Sequence, residues 1–344
     1  MKQHRIDDPA EIDATSIAAH VSAGSRVIVQ YSKPGYCTQH LESLNALARI
    51  HKRNLEIRFY GHYSSGFDAS VLRSIPDVQS LSVDCLMSAS NLNALSCIHE
   101  LKELSLGVYD LDDKNILTKC DLGSVEDLAL GSTRSGSIDL SVLAGCKKLA
   151  RLHTSGHTKN ITTVCTLHGL KNLTLSQIKR KDDVAFVSDM PQLLSLRILL
   201  GGRTSLAHVA PANLESLEII RVQGLEDVGD LGRFEKLESV RIEDQIKLRC
   251  ITFGRNPRLR DVRIINCKTL EQITGVSALK SLVHMRLYGT AIPYESFISN
   301  GVPASLKTLA FYTTKSKRDA EIRADLASRG FREFSEPSGC AQGN

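Results

Sequence analysis

The chain has 344 residues, 42% of them hydrophobic and 24% charged, with 43 Lys and Arg against 38 Asp and Glu for a net charge of +5. That balance excludes a chain disordered throughout, and so small a charge does not demand a polyanionic partner. Aromatic residues are 5% with no Trp, so any core is aliphatic, and the length leaves two globular domains or one repeat array.

The opening residues, MKQHRIDDPAEIDATSIAAHV, lack the apolar run of a secretory leader, and no stretch of 18 apolar residues follows. A cytoplasmic chain without a membrane span is expected. Within residues 1–25, ATSIAAHV is compatible with a helix and the rest reads as loop. RVIVQY (26–31) then reads as a strand, SKPGY as a turn, QHLESLNALARIHKR (39–53) as an amphipathic helix and LEIRFY (55–60) as a second strand. Residues 1–54 are thus set apart as a capping unit.

From there one pattern recurs. VQSLSV, LKELSL, VEDLAL, LARLHT, LKNLTL, LLSLRI, LESLEI, LESVRI, LRDVRI, LVHMRL and LKTLAF all fit apolar-x-x-apolar-x-apolar, with Thr154 the single polar exception. Their central anchors are Leu81, Leu104, Leu128, Leu152, Leu173, Leu196, Leu217, Val240, Val262, Met285 and Leu309, at intervals of 21 to 24 residues. The alternation is that of a short strand, whose inward leucines can be buried only by neighbouring units. A second apolar group (Leu111 and Leu117, Ile138 and Leu140, Leu225 and Val228, Leu248 and Ile251, Leu270 and Ile273) should fill the core behind the strands.

This pattern over residues 55–312 resembles the leucine-rich repeat family, and the short unit looks most like its bacterial or protein-phosphatase-regulator types. The resemblance implies an α/β fold, a right-handed solenoid with a parallel sheet on its concave face. It also implies Asn, Cys or Thr three residues after the second strand leucine. Here only Thr133, Cys267, Thr290 and Thr314 comply, so irregular turns are expected. TKSKRDAEIRADLASRG (314–330) has helical spacing and a Gly330 stop signal, which assigns residues 313–334 to a C-terminal cap and 335–344 to a disordered tail.

Chemistry is sparse. Nine cysteines without a CxxC pair read as reduced, mostly buried thiols. His153 and His157, with Cys165 and His168 nearby, straddle a strand and its turn and read as surface histidines, not metal ligands. GSTRSGS (131–137) lacks the Lys of a phosphate loop, GxSxG is absent, and the Asp112–Asp113 and Asp182–Asp183 pairs lie in polar connections. No catalytic residue, metal or cofactor is assigned, and a non-enzyme is expected.

The positions between the inward leucines carry more information, because they should line the concave face. One column runs Arg197, Glu218, Arg241, Arg263, Arg286 after a stretch of small residues; the next holds Leu199, Ile220, Glu243, Ile265, Tyr288 and Tyr312; Asp261 and His284 precede the anchors beside them. Apolar and aromatic residues beside Arg are what protein interfaces favour. These thirteen residues form the candidate partner-binding face of a protein-binding scaffold, in the manner of an immunity protein or an effector. The competing readings are a solvated sheet in which Glu218 and Glu243 pair with the flanking arginines, and a binder of nucleic acid or another anion through the arginine ladder, which the interspersed acids disfavour. Residues 195–334 hold 22 Lys and Arg against 16 Asp and Glu, so a local basic surface is expected in this half.

Overall fold

The computed structural model of the protein describes residues 2–332. The chain divides into two compact units at Leu175 and Ser176.

In the first unit Lys2–Asp7 is a strand pairing in parallel with Ser25–Tyr31, which pairs in turn with Leu55–Gly61. The first of these replaces an expected loop. Its sequence, KQHRID, buries no residue fully, so it carries no hydrophobic alternation to announce it; backbone pairing to the apolar Ser25–Tyr31 strand holds it. Helix Ala14–Ser22 follows, its first turn capped by the Asp13 carboxylate, which accepts the Ser16 N–H at 2.9 Å. Helix Thr38–His51 turns Leu41, Leu44, Leu47 and Ala48 into the core at helical spacing.

Strands Ser80–Leu86, Glu103–Val108, Asp127–Leu130 and Arg151–Ser155 then add in parallel, with Leu81, Leu104, Leu128 and Leu152 aligned across the ladder. Each anchor is 1–2% exposed. Burying a leucine is worth about 1.5–3 kcal/mol, and only the neighbouring units can supply that burial. Short 3-10 helices, such as Leu92–Cys97 and Ile116–Lys119, return the chain from one strand to the next.

The second unit repeats the scheme in Ser195–Leu199, Ser216–Ile220, Ser239–Glu243, Asp261–Ile265, His284–Tyr288 and Thr308–Tyr312, all parallel and in unbroken register. On the return side Cys250–Thr252 pairs with Gln272–Thr274 as a second, small sheet. Helix Ser316–Ser328 closes the last strand by burying Ile322 and Leu326, and the chain leaves it through Gly330 at φ +87°. The expected tail, with Cys340, lies outside the described residues.

Three expectations need correction. The turns are regular in most units, because the residue that ends the strand takes the left-handed conformation: Gln177, Leu200, Arg221, Asp244 and Asn266 have φ between 53° and 57°. That conformation aims the N–H of each at the carbonyl of the neighbouring unit, as in Leu200 to Ile220 (2.8 Å) and Arg221 to Glu243 (3.0 Å), and turns the following residue inward. Ile178, Val222, Gln245 and Cys267 are therefore buried. The same device overturns the reading of His157 as a surface histidine. Gly156 (φ +75°) precedes it, and the ring is 1% exposed. Its Nδ1 accepts the Ile138 N–H at 3.1 Å and its Nε2 donates to the Gly131 carbonyl at 2.7 Å. Nor are the cysteines mostly buried. Of those described, Cys146 and Cys267 are, whereas Cys37, Cys85 and Cys250 are exposed, and none forms a disulfide.

Candidate functional site

In the second unit the strand alternation sends Leu196, Ile198, Leu217, Ile219, Val240, Ile242, Val262 and Ile264 into the core, so the intervening residues stand on the open face of the sheet. Strand register places Arg197, Glu218, Arg241, Arg263 and Arg286 side by side, and beside them Leu199, Ile220, Glu243, Ile265, Tyr288 and Tyr312. The structure brings all thirteen candidate residues onto this face, with Asp261 opposite His284 in the third column.

Ion pairs hold Arg197, Arg241 and Arg263. Arg197 Nε meets Glu218 at 2.9 Å across two strands, Arg241 Nε meets Glu243 at 2.8 Å along its own strand, and Arg263 Nε meets Asp261 at 2.8 Å likewise. The side chains of Arg241 and Arg263 are 29% and 14% exposed. Four arginines thus stand against three carboxylates, and the face is near neutral. His284 Nδ1 lies 2.7 Å from the Thr308 hydroxyl. The apolar column remains accessible: Leu199, Ile220, Ile265 and Tyr312 are half-buried and Tyr288 is 37% exposed. Tyr288 and Tyr312 incline together with ring centroids 6.1 Å apart.

Sequence reading overlooked the column of left-handed residues bordering this face. Leu200 is 39% exposed there, and Ile246, just beyond, is 65% exposed. Arg221 donates to Asp244 at 2.7 Å. Burial alone would raise the Asp244 carboxyl, but hydrogen bonds from Arg221 and Asn266 hold it below its ordinary value. These residues all sit four places after the anchor, but their residue types do not mark the left-handed turn.

The first unit also carries a charged network on its sheet. Arg53 donates to Glu103 (2.8 Å), Glu126 (2.6 Å) and Asp127 (2.8 Å), and Arg26 donates to Glu56 at 2.7 Å and also pairs with Glu103. Burial would raise the Glu103 carboxyl, yet Arg26 and Arg53 hold it below its usual range. No group of three or more His, Cys, Asp or Glu able to hold a metal occurs among the described residues, and no helix among them is long and apolar enough to cross a membrane.

Repeated strand, inward leucine ladder and parallel sheet define a repeat protein built on strand-and-return units. No protein-family model and no curated protein matches the sequence. Solved structures do. An internalin of Listeria monocytogenes is similar at 18% identity over 82% of this chain and 78% of that one, with a TM-score of 0.48. Drosophila Toll, in its complex with Spatzle, is similar at 16% identity over 90% of this chain but 45% of that one, with a TM-score of 0.50. A leucine-rich repeat protein of Leptospira interrogans is similar at 14% identity, covering 83% and 89%, with a TM-score of 0.36. At these identities the likeness is one of fold. Joined to the eleven-fold pattern of the sequence, it shows a leucine-rich repeat fold.

Proposed function

We propose that the chain binds another protein through the open face of residues 195–312. One observation carries the proposal: Leu199, Ile220, Ile265, Tyr288 and Tyr312 share one accessible column beside arginines held in place by ion pairs. Apolar and aromatic groups next to Arg make up the energetic centre of many interfaces, and arginines already fixed lose little freedom on binding. Nucleic-acid binding through the same ladder is disfavoured, because Glu218, Glu243 and Asp261 already neutralise three of its arginines.

Affinity purification from the native cell with mass spectrometry would identify the partner. Ile265→Asp with Tyr288→Ala, and separately Arg241→Glu with Arg263→Glu, are expected to weaken its capture by roughly 30-fold or more, the loss of about 2 kcal/mol at a binding hot spot. Undiminished capture by both variants overturns the site. Within this reading an immunity protein that neutralises a toxin, or an effector acting in a host, fits the same face; a toxin gene beside this one supports the first only.

A further inference from the structure

The ion pairing of the open face raises the question of where the basic surplus of the second unit is exposed. It lies on the edge where the strands begin. Three successive connections, residues 254–260 (GRNPRLR), 275–283 (GVSALKSLV) and 299–307 (SNGVPASLK), contain Arg255, Arg258, Arg260, Lys280 and Lys307 and no Asp or Glu. All five cations are exposed. None of them has a carboxylate within ion-pair distance among the described residues, whereas Arg197, Arg241 and Arg263 on the adjoining face all do.

Hydrogen bonds stack these connections on one another. The Val283 N–H donates to the Arg260 carbonyl at 2.9 Å, and the Lys307 N–H donates to the Val283 carbonyl at 2.9 Å. Ser281 Oγ donates to the Pro257 carbonyl, and Ser305 Oγ to the Leu279 carbonyl at 3.4 Å. Asn256, 1% exposed between Arg255 and Pro257, donates to the carbonyls of Leu231 (2.9 Å) and Phe234 (3.1 Å) and accepts the Gly254 N–H. The arginines flanking it therefore project from a loop anchored at Asn256. None of the exposed large apolar residues lies in these connections, so charge alone distinguishes the surface.

We propose that this edge binds an acidic polypeptide segment. Strands are spaced about 4.8 Å apart, so the backbones of the first and third connection stand roughly 10 Å apart, a span of three to four residues of extended chain, and the long basic side chains widen the reach to about six. The patch meets Glu235 and Glu238 in the preceding connection, where the Arg260 N–H donates to the Glu238 carbonyl at 2.9 Å, and Asp261 on the open face. A short acidic run fits between these carboxylates. A nucleic-acid duplex or an anionic bilayer extends beyond the patch and meets them, and the lack of exposed apolar side chains gives a bilayer nothing to hold.

The surface is distinct from the open face, and the test separates the two. Fluorescently labelled hexaglutamate is titrated with the full chain at 50 mM salt, beside a 20-base-pair duplex and vesicles of phosphatidylserine. Saturable peptide binding is expected, weakened at least tenfold in Arg255→Glu/Arg258→Glu/Arg260→Glu and unchanged in Ile265→Asp/Tyr288→Ala, with circular dichroism reporting that each variant is folded. Should the triple variant unfold, Arg255→Gln/Arg258→Gln/Lys280→Gln serves in its place, with the same tenfold loss expected. Absence of peptide binding, binding indifferent to these substitutions, or tighter binding of the duplex or the vesicles than of the peptide overturns the proposal.

Discussion

Acidification should weaken the first unit through one buried histidine. His157 is neutral by geometry, since its Nδ1 must accept the Ile138 N–H while Nε2 donates to Gly131. Protonating Nδ1 would set two N–H groups against each other in a site 1% exposed, and burial holds the ring's pKa below its ordinary 6.5. The unfolded chain takes up this proton near pH 6.5 and the folded chain resists it. The neutral ring's contribution is therefore fully present above about 6.5 and is lost as pH falls toward the folded value. At one unit below 6.5 the loss is about 1.4 kcal/mol, provided the folded ring is still neutral. Carboxylates held low by their partners, Glu103 among them, titrate well below this window. Urea unfolding of wild type and His157→Gln at pH 7.5 and 5.5 isolates the effect. The variant, whose amide can offer the same donor and acceptor without titrating, should begin roughly 1–3 kcal/mol less stable and lose about 1.4 kcal/mol less than wild type on acidification. Equal losses in the two proteins would refute the assignment.

Other consequences follow from backbone and charge. Gly275→Ala should lower stability by roughly 2–4 kcal/mol, because φ is +80° and the new Cβ would lie 2.0 Å from the Phe253 carbonyl oxygen; a thermal melt checks it. Leu200→Gly should raise stability by about 0.5–1 kcal/mol by relieving a left-handed leucine at φ +57° whose side chain is 39% exposed. Arg53→Met leaves Glu103, Glu126 and Asp127 without their shared cation and should cost roughly 2 kcal/mol at neutral pH. Since the Glu103 carboxyl is held low in the folded chain, that penalty should shrink as pH falls through the carboxylate range, which denaturation at pH 7 and pH 4 would reveal.

The ladder of anchors could be read directly because one rule governs it: every second residue of a buried-faced strand must be apolar. Even Val240, Val262 and Met285 obey it at 0–1% exposure. Thr154 breaks the pattern and is still buried, its hydroxyl satisfied by the His157 carbonyl at 3.3 Å. What the sequence concealed depends on backbone dihedrals or on partners distant in the chain. Lys2–Asp7 becomes a strand only because an apolar neighbour offers its edge. Leu200, Arg221 and Asn266 adopt a conformation that glycine favours, so no composition rule marks their turn, and the inward swing of His157 and Gln245 follows from it. The candidate face was readable as columns; the pairing of Arg263 with Asp261 within one strand, instead of with a neighbouring strand, required side-chain positions.

That pairing sets what should drive association. If the arginines of the open face keep Glu218, Glu243 and Asp261 as partners when a protein binds, the gain comes from covering Leu199, Ile220, Ile265, Tyr288 and Tyr312, and little counterion is released. Affinity for the captured partner should then change less than about threefold between 50 and 300 mM salt, a range over which the screening length falls from roughly 14 to roughly 6 Å and so stays longer than the ion-pair contacts. Unpaired Arg255, Arg258 and Arg260 give the opposite behaviour, and hexaglutamate binding at the edge should fall at least tenfold over the same range. A steep salt dependence that persists in the edge triple variant would mean that the ladder exchanges its own carboxylates for those of the partner, and the apolar column would no longer be the source of affinity.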